Sequence, residues 1–174
     1  MNTRFARLGI PVDPPQAAFA AETPFDERRV GAAAVYCSDG RFGEQMDEFL
    51  HHGLALPRYD RLALPGGAAC LAGHACAYHA KQALRDQLGF LIREHGLTRV
   101  VLIAHEGCAF YKDLWLGLRT MKEQQAVDLE RAAAAIRSAN PQVEVEVYFA
   151  RRADGKVAFE RWGRDHATVM ALSR

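Results

Sequence analysis

The chain has no run approaching eighteen continuous apolar residues, so a membrane-spanning helix is not expected. It has no block of lysine and arginine either, and its 22 basic side chains nearly balance 21 acidic ones, for a net charge of +1. Without a basic stripe there is no electrostatic footprint for nucleic acid or an anionic membrane surface, and neither is expected as a partner. Arg4 and Arg7 lie near the N-terminus, but Pro11, Asp13, Pro14 and Pro15 interrupt the chain before the apolar core of a signal peptide can form. The expected location is therefore cytoplasmic. No internal repeat, linker or low-complexity tract divides the 174 residues, which suit one domain over 1–174 with a Pro-rich arm over 1–28. Cysteine is scarce, at four residues, and in a cytoplasmic setting such cysteines point to metal binding or catalysis before disulfides.

The apolar pattern is where the sequence becomes informative. Residues 29–36 form a small-residue apolar run without alternation, which suits a strand covered on both faces, as in a parallel sheet. Phe42, Met46, Phe49 and Leu50 then recur at helical spacing up to Gly53. Residues 59–64 read as a short strand stopped by Pro65-Gly66-Gly67. An Ala-rich stretch over 68–94 predicts one long helix, burying Leu71, Ala75, Tyr78, Leu84, Leu88, Leu91 and Ile92 and stopping at His95-Gly96. Residues 98–104 are the clearest buried strand and deliver His105 directly. Helical periodicity returns over 111–139, broken near 117–120 and ended by Asn140-Pro141. Residues 143–149 alternate Val and Glu, predicting a strand with one wetter face, and Asp154-Gly155 predicts a hairpin into an antiparallel edge strand over 157–162. A short helix is expected to close the chain. This order of elements predicts an α/β fold: a mainly parallel central sheet with an antiparallel edge strand, flanked by helices.

Ligands of such sheets bind beyond the carboxyl ends of strands, near a switch in strand order. Two chemistry-bearing stretches sit at such ends. Tyr36-Cys37-Ser38-Asp39-Gly40-Arg41 closes the first apolar run, and Ala104-His105-Glu106-Gly107-Cys108 closes the clearest strand. The His-x-x-Cys spacing lets His105 and Cys108 reach one ion from a single tight turn, and Cys37 from a neighbouring strand end supplies a third corner. Three protein ligands with an open fourth position is the arrangement of catalytic zinc. Two thiolates cancel the charge of the dication, so a bound water is acidified less than at a three-histidine site, and a second group is needed to hold the hydroxide. Asp39 and Arg41, one residue apart, share a face of an extended turn, where the guanidinium can grip the carboxylate bidentately and keep it ionised. Asp39 either orients the hydroxide or fills the fourth zinc position and switches the site off.

Cys-x-Asp-x-Arg followed downstream by His-x-x-Cys resembles the β-class carbonic anhydrases. The resemblance implies a zinc enzyme that reversibly hydrates carbon dioxide to bicarbonate, with Cys37, His105 and Cys108 as zinc ligands and Asp39 with Arg41 as the catalytic pair. It also implies a homodimer or a multiple of one, with the site near the subunit interface. The chain departs from the family pattern at Ala104 and Ala109, where glycine is usual. It departs again at Leu64-Pro65-Gly66-Gly67, where Arg-Asn-Ala-Gly is usual, and in a shortened N-terminal arm. These departures place it in a divergent branch. Other readings of the same residues are a zinc enzyme for a related electrophile (carbon disulfide or carbonyl sulfide), a non-catalytic zinc protein, and a metal-free thiol enzyme using Cys37.

Other reactive-looking residues read as ordinary ones. Cys70, His74, Cys76 and His79 fall on the expected long helix in two pairs facing different directions, which suits helix packing rather than a second metal site. His51 and His52 are expected in solvent near a helix end, Glu106 in a solvated loop, and Trp115 and Trp162 as core or interface anchors. Tyr36, Phe42 and Phe110 are candidate walls of an apolar substrate pocket.

Overall fold

The computed structural model describes residues 17–112, 114 and 117–163. Trp115, the expected closing helix and the first sixteen residues of the arm lie outside them. Residues 17–28 form no helix or strand.

Five strands make one sheet in the order β2-β1-β3-β4-β5: β1 (Ala32–Cys37), β2 (Asp60–Leu64), β3 (Arg99–His105), β4 (Glu144–Ala153) and β5 (Lys156–Trp162). The first four run parallel, and β5 returns antiparallel along β4, so the expected fold class is the observed one. Asp154 and Gly155 both take positive φ (49° and 76°), as the predicted tight hairpin turn requires.

Among the described residues three α-helices cover the sheet: α1 (Gly43–Glu48), extended by a π-helical turn over Phe49–Gly53, then α2 (Tyr78–His95) and α3 (Met121–Ala139). Alternate strand residues serve opposite faces. Ala33 and Val35 of β1 and Val100 and Leu102 of β3 pack with Leu84, Leu88 and Ile92 of α2 and Leu129, Ala132 and Ile136 of α3. Ala32, Ala34 and Tyr36, with Val101 and Ile103, pack on the other face with Phe42, Met46 and Leu50. This two-sided burial is why β1 and residues 100–104 of β3 are apolar at every position rather than at every second one. α3 starts at a capping box, Thr120 and Glu123 each bonding the other's backbone N–H.

Two expectations are corrected. The helix predicted over 68–94 begins only at Tyr78. Before it lie 3-10 turns over Gly67–Ala72 and Ala75–Ala77, separated by left-handed Gly73 (φ 97°) and extended His74. The segment buries Ala68, Ala69, Cys70 and Leu71 against the sheet and α3, and a straight helix cannot follow that curve. Ala75 and Tyr78, expected in the core, are exposed. The wetter face of β4 is also less wet than its Val/Glu alternation suggests. Glu146 is only 6% exposed and is bonded by Arg99 and by the Tyr148 hydroxyl. Trp162 stacks on Phe149 in the core, with ring centroids 4.7 Å apart.

Strand order positions the site. After β1 the chain places β2 on one side and then crosses back to place β3 on the other. The carboxyl ends of β1 and β3 therefore flank the switch point. Cys37 is the last residue of β1 and His105 the last of β3.

Candidate metal centre

The three soft donors meet there. Ligating atoms of Cys37, His105 and Cys108 lie within 4.8 Å of one another, and all three residues are buried. Gly107 makes the return possible: its φ of 70° turns the chain after Glu106 so that Cys108 faces back toward His105.

The geometry of this group suits a small tetrahedral ion. Two sulfurs each about 2.3 Å from a common tetrahedral centre stand about 3.8 Å apart, and the Cys37 and Cys108 Sγ atoms are 3.8 Å apart. His105 Nδ1 lies 3.0 Å from the Glu106 carbonyl oxygen, to which it can only donate. The proton therefore sits on Nδ1, and Nε2 carries a free lone pair. That Nε2 is buried and has no hydrogen-bond partner among the described residues. A buried, unsatisfied imidazole lone pair beside two thiols is costly unless something electrophilic sits between them.

Backbone N–H groups converge on the sulfurs. The Cys108 thiol, at hydrogen-bond distance, pulls Cys37 below its ordinary value, helped by the N–H groups of Gly66 and Asp39 and opposed by burial. Its proximity to Cys37, followed by burial, pushes Cys108 up, against the N–H groups of Phe110 and Gly66. The two sulfurs are thus driven in opposite directions by their proximity, a competition that a shared cation would relieve.

Gly66 and Gly67 let the loop after β2 pass close against the end of β1 and the Phe110 ring. Both have positive φ (83° and 52°). A Cβ on Gly67 would lie 2.5 Å from the Tyr36 carbonyl carbon and 2.6 Å from the Cys37 nitrogen, and one on Gly66 would strike the Phe110 ring at 2.6 Å.

Asp39 and Arg41 stand beside the cluster. Asp39 Oδ1 accepts from the Arg41 backbone N–H at 3.1 Å and from its Nε at 2.9 Å, while Oδ2 accepts from a terminal guanidinium nitrogen at 2.5 Å. The guanidinium holds the Asp39 carboxyl well below the usual carboxylate range, against the opposing effect of burial. Phe42 packs its ring on His105 (centroids 4.4 Å). A cleft of about 1040 Å³ borders the site through Arg41, Phe42, Glu106 and Gly107. Of the expected pocket walls, Tyr36 turns away into the core under α1, whereas Phe42 and Phe110 adjoin the site.

Several residues near the site carry no strong local signal. Glu106, expected in solvent, accepts from the Arg152 backbone N–H at 2.9 Å and so ties the metal turn to β4. Gln125 donates to the His105 carbonyl oxygen at 2.8 Å. Asp128, fully buried, accepts from the Tyr111 hydroxyl, the Gln124 amide and His74 Nε2. A signal existed: Gln125 and Asp128 continue the stripe Leu129, Ala132, Ala133 and Ile136 one turn toward the N-terminus of α3, so they are polar residues on a buried face. Cys70 donates to the Pro65 carbonyl oxygen, while Cys76 and His79 are exposed.

Comparison with known proteins gives the arrangement its context. The family described as "Putative carbonic anhydrase" matches residues 28–159. No curated protein matches the chain. Among solved structures, β-carbonic anhydrase isoform I of the protozoan Trichomonas vaginalis is similar at 15% identity. It covers 91% of this chain and 92% of its own, with a TM-score of 0.50. The β-carbonic anhydrase CafD of the fungus Aspergillus fumigatus is similar at 10% identity over 77% of this chain and 90% of its own, with a TM-score of 0.51. Identities this low establish a shared fold.

Proposed function

This chain belongs to that carbonic anhydrase family, and from this premise we propose that it is a zinc lyase catalysing the reversible hydration of carbon dioxide to bicarbonate. One observation carries the reading: three converging soft donors at tetrahedral sulfur spacing, with an arginine-held carboxylate beside them. Cys37, His105 and Cys108 would hold the metal and leave its fourth position open. When bound, zinc acidifies a water and makes a nucleophile available near neutral pH.

The chain's own residues supply the rest. Asp39 stays ionised because Arg41 engages both of its oxygens, and with two donors on Oδ1 it is Oδ2 that keeps acceptor capacity for a hydrogen bond from the attacking oxygen. Such a bond aims the nucleophile's remaining lone pair at carbon. Arg41 holds Asp39 in place, and that engagement favours an open fourth position over one filled by Asp39. Phe42 and Phe110 give the site apolar walls suited to a small, uncharged substrate. The reading carries with it a cytoplasmic homodimer or larger even assembly.

The test is zinc stoichiometry alongside stopped-flow hydration for the parent, Cys108→Ser and Asp39→Asn. One zinc per chain with a hydration rate above buffer is expected of the parent. Cys108→Ser loses the metal, and Asp39→Asn keeps it while losing rate. Zinc-loaded parent with no hydration at any pH from about 7 to 9 refutes the reading. Profiling with carbon disulfide and carbonyl sulfide then separates a related hydrolase from a non-catalytic zinc protein.

A further inference from the structure

We infer that Asp128, with Gln125, is the positioning pair that closes the metal pocket: Asp128 joins its two loop walls and Gln125 holds the main chain of its histidine. The inference rests on the metal reading above and adds residues to it.

Two separate segments wall the cysteines. One follows β2 and runs through 66–74; it supplies the Gly66 N–H that points at both sulfurs. The other is the turn 105–111, which supplies the ligands His105 and Cys108 and the Phe110 N–H on Cys108. Beyond His105, which ends β3, neither segment belongs to a strand, so the two share no sheet pairing. They pack on each other through Ala69, Cys108 and Tyr111, and the Asp128 carboxylate bonds a side chain from each. His74, at the far end of the first segment, donates from Nε2 to Asp128 Oδ2 at 2.7 Å. Tyr111, at the end of the second, donates its hydroxyl to the same oxygen at 2.8 Å. Gln124 donates to Oδ1 at 2.8 Å, so the carboxylate accepts from three donors. The Tyr111 ring in turn packs in one cluster with Cys37, Cys108 and Ala69.

One turn of α3 earlier, Gln125 donates at 2.8 Å to the carbonyl oxygen of His105 and holds the main chain of that ligand. Gln124, Gln125 and Asp128 are 6%, 1% and 0% exposed. Polar side chains survive at such positions when their bonds are needed. Here the Gln125 bond and two of the three Asp128 bonds lead to residues that bear or wall the metal donors. Second-layer groups of this type fix ligand orientation, and losing one typically weakens metal affinity by about 10–100-fold.

The measurement is the zinc dissociation constant by chelator competition, with the Co²⁺ absorption spectrum and the melting temperature. The full-length chain is used with Asp128→Asn, Tyr111→Phe, Gln125→Leu and, as a control, Leu88→Ala in the core under α2. Asp128→Asn replaces an acceptor-only group by one that cannot accept from all three donors. Tyr111→Phe removes a single hydroxyl and leaves the ring, so it folds even where the first variant does not. All three site variants are expected to weaken zinc about 10–100-fold and to shift the thiolate-to-Co²⁺ band, while Leu88→Ala lowers the melting temperature and keeps parental affinity. Site variants within about twofold of the parent, or a control that weakens zinc as much as they do, overturn the inference. A parent that binds no zinc overturns the metal reading itself, and this inference with it.

Discussion

Gly67→Ala is the most demanding probe of how the site is built. Residue 67 has φ 52°, where a non-glycine residue costs about 1–2 kcal/mol. The added Cβ would also stand 2.5 Å from the Tyr36 carbonyl carbon, whereas ordinary contact begins at 3.4 Å. The loop and β1 must therefore part by about 0.9 Å, the difference between those two distances. Both partners are backbone, so no rotamer change relieves the overlap, and overpacking of this kind costs about a further 1–3 kcal/mol. The sum, about 2–5 kcal/mol, corresponds to a fall in melting temperature of roughly 4–20 °C for a chain of this size. The same movement carries the Gly66 N–H away from the sulfurs, so zinc affinity falls together with stability. Gly43→Ala is the control: that residue is helical, and a Cβ there meets nothing within 4 Å. It is expected to be neutral or to stabilise by up to about 1 kcal/mol. Thermal melts and zinc competition on both variants decide the matter. A Gly67→Ala protein melting within about 2 °C of the parent with zinc affinity intact refutes the reasoning.

Three further predictions concern the site and its supports. Zinc raises the melting temperature of the parent by preferential binding to the folded state, a shift that chelator reverses and that Cys108→Ser does not show. Burial would raise the Glu146 carboxyl, but hydrogen bonds from Arg99 and Tyr148 outweigh it and hold it below its ordinary value. A depressed folded value means this contribution is complete above about pH 4.3 and fades as pH falls further. Urea midpoints should therefore show Glu146→Gln below the parent at neutral pH, with the gap narrowing in acid; a gap that widens in acid contradicts the assignment. Thr120→Ala removes the cap of α3 and is expected to cost about 1 kcal/mol, read as a melting shift of roughly 2–4 °C.

How much of the structure was legible beforehand differs from element to element. The apolar runs ending at Cys37 and His105 announced two buried strands because a sheet covered on both faces leaves no position for a polar residue. The Cys-x-Asp-x-Arg and His-x-x-Cys spacings were equally readable, since each places its side chains through a single local turn. The helix expected over 68–94 failed for the opposite reason. Its alanines have high helix propensity, but Gly66, Gly67 and Gly73 let the chain bend around the end of β1 and bury those alanines in 3-10 turns. The same bend takes His74 away from Cys70 and delivers it to Asp128. On β4 the alternation correctly marked a strand, yet it could not foresee that Arg99, a neighbour across the sheet, would make a buried place for Glu146.

The sequence by itself determined the strands, the hairpin and the identity of the donors, because period, turn chemistry and ligand spacing are properties of neighbouring residues. Only the tertiary structure decided which donors meet, since Cys37 and Cys108 are 71 positions apart and come together through the order of the strands. It alone decided what stands behind them. The helix period marks Gln125 and Asp128 only as polar residues on an apolar stripe, and the docking of α3 turns them onto the loops that hold the site.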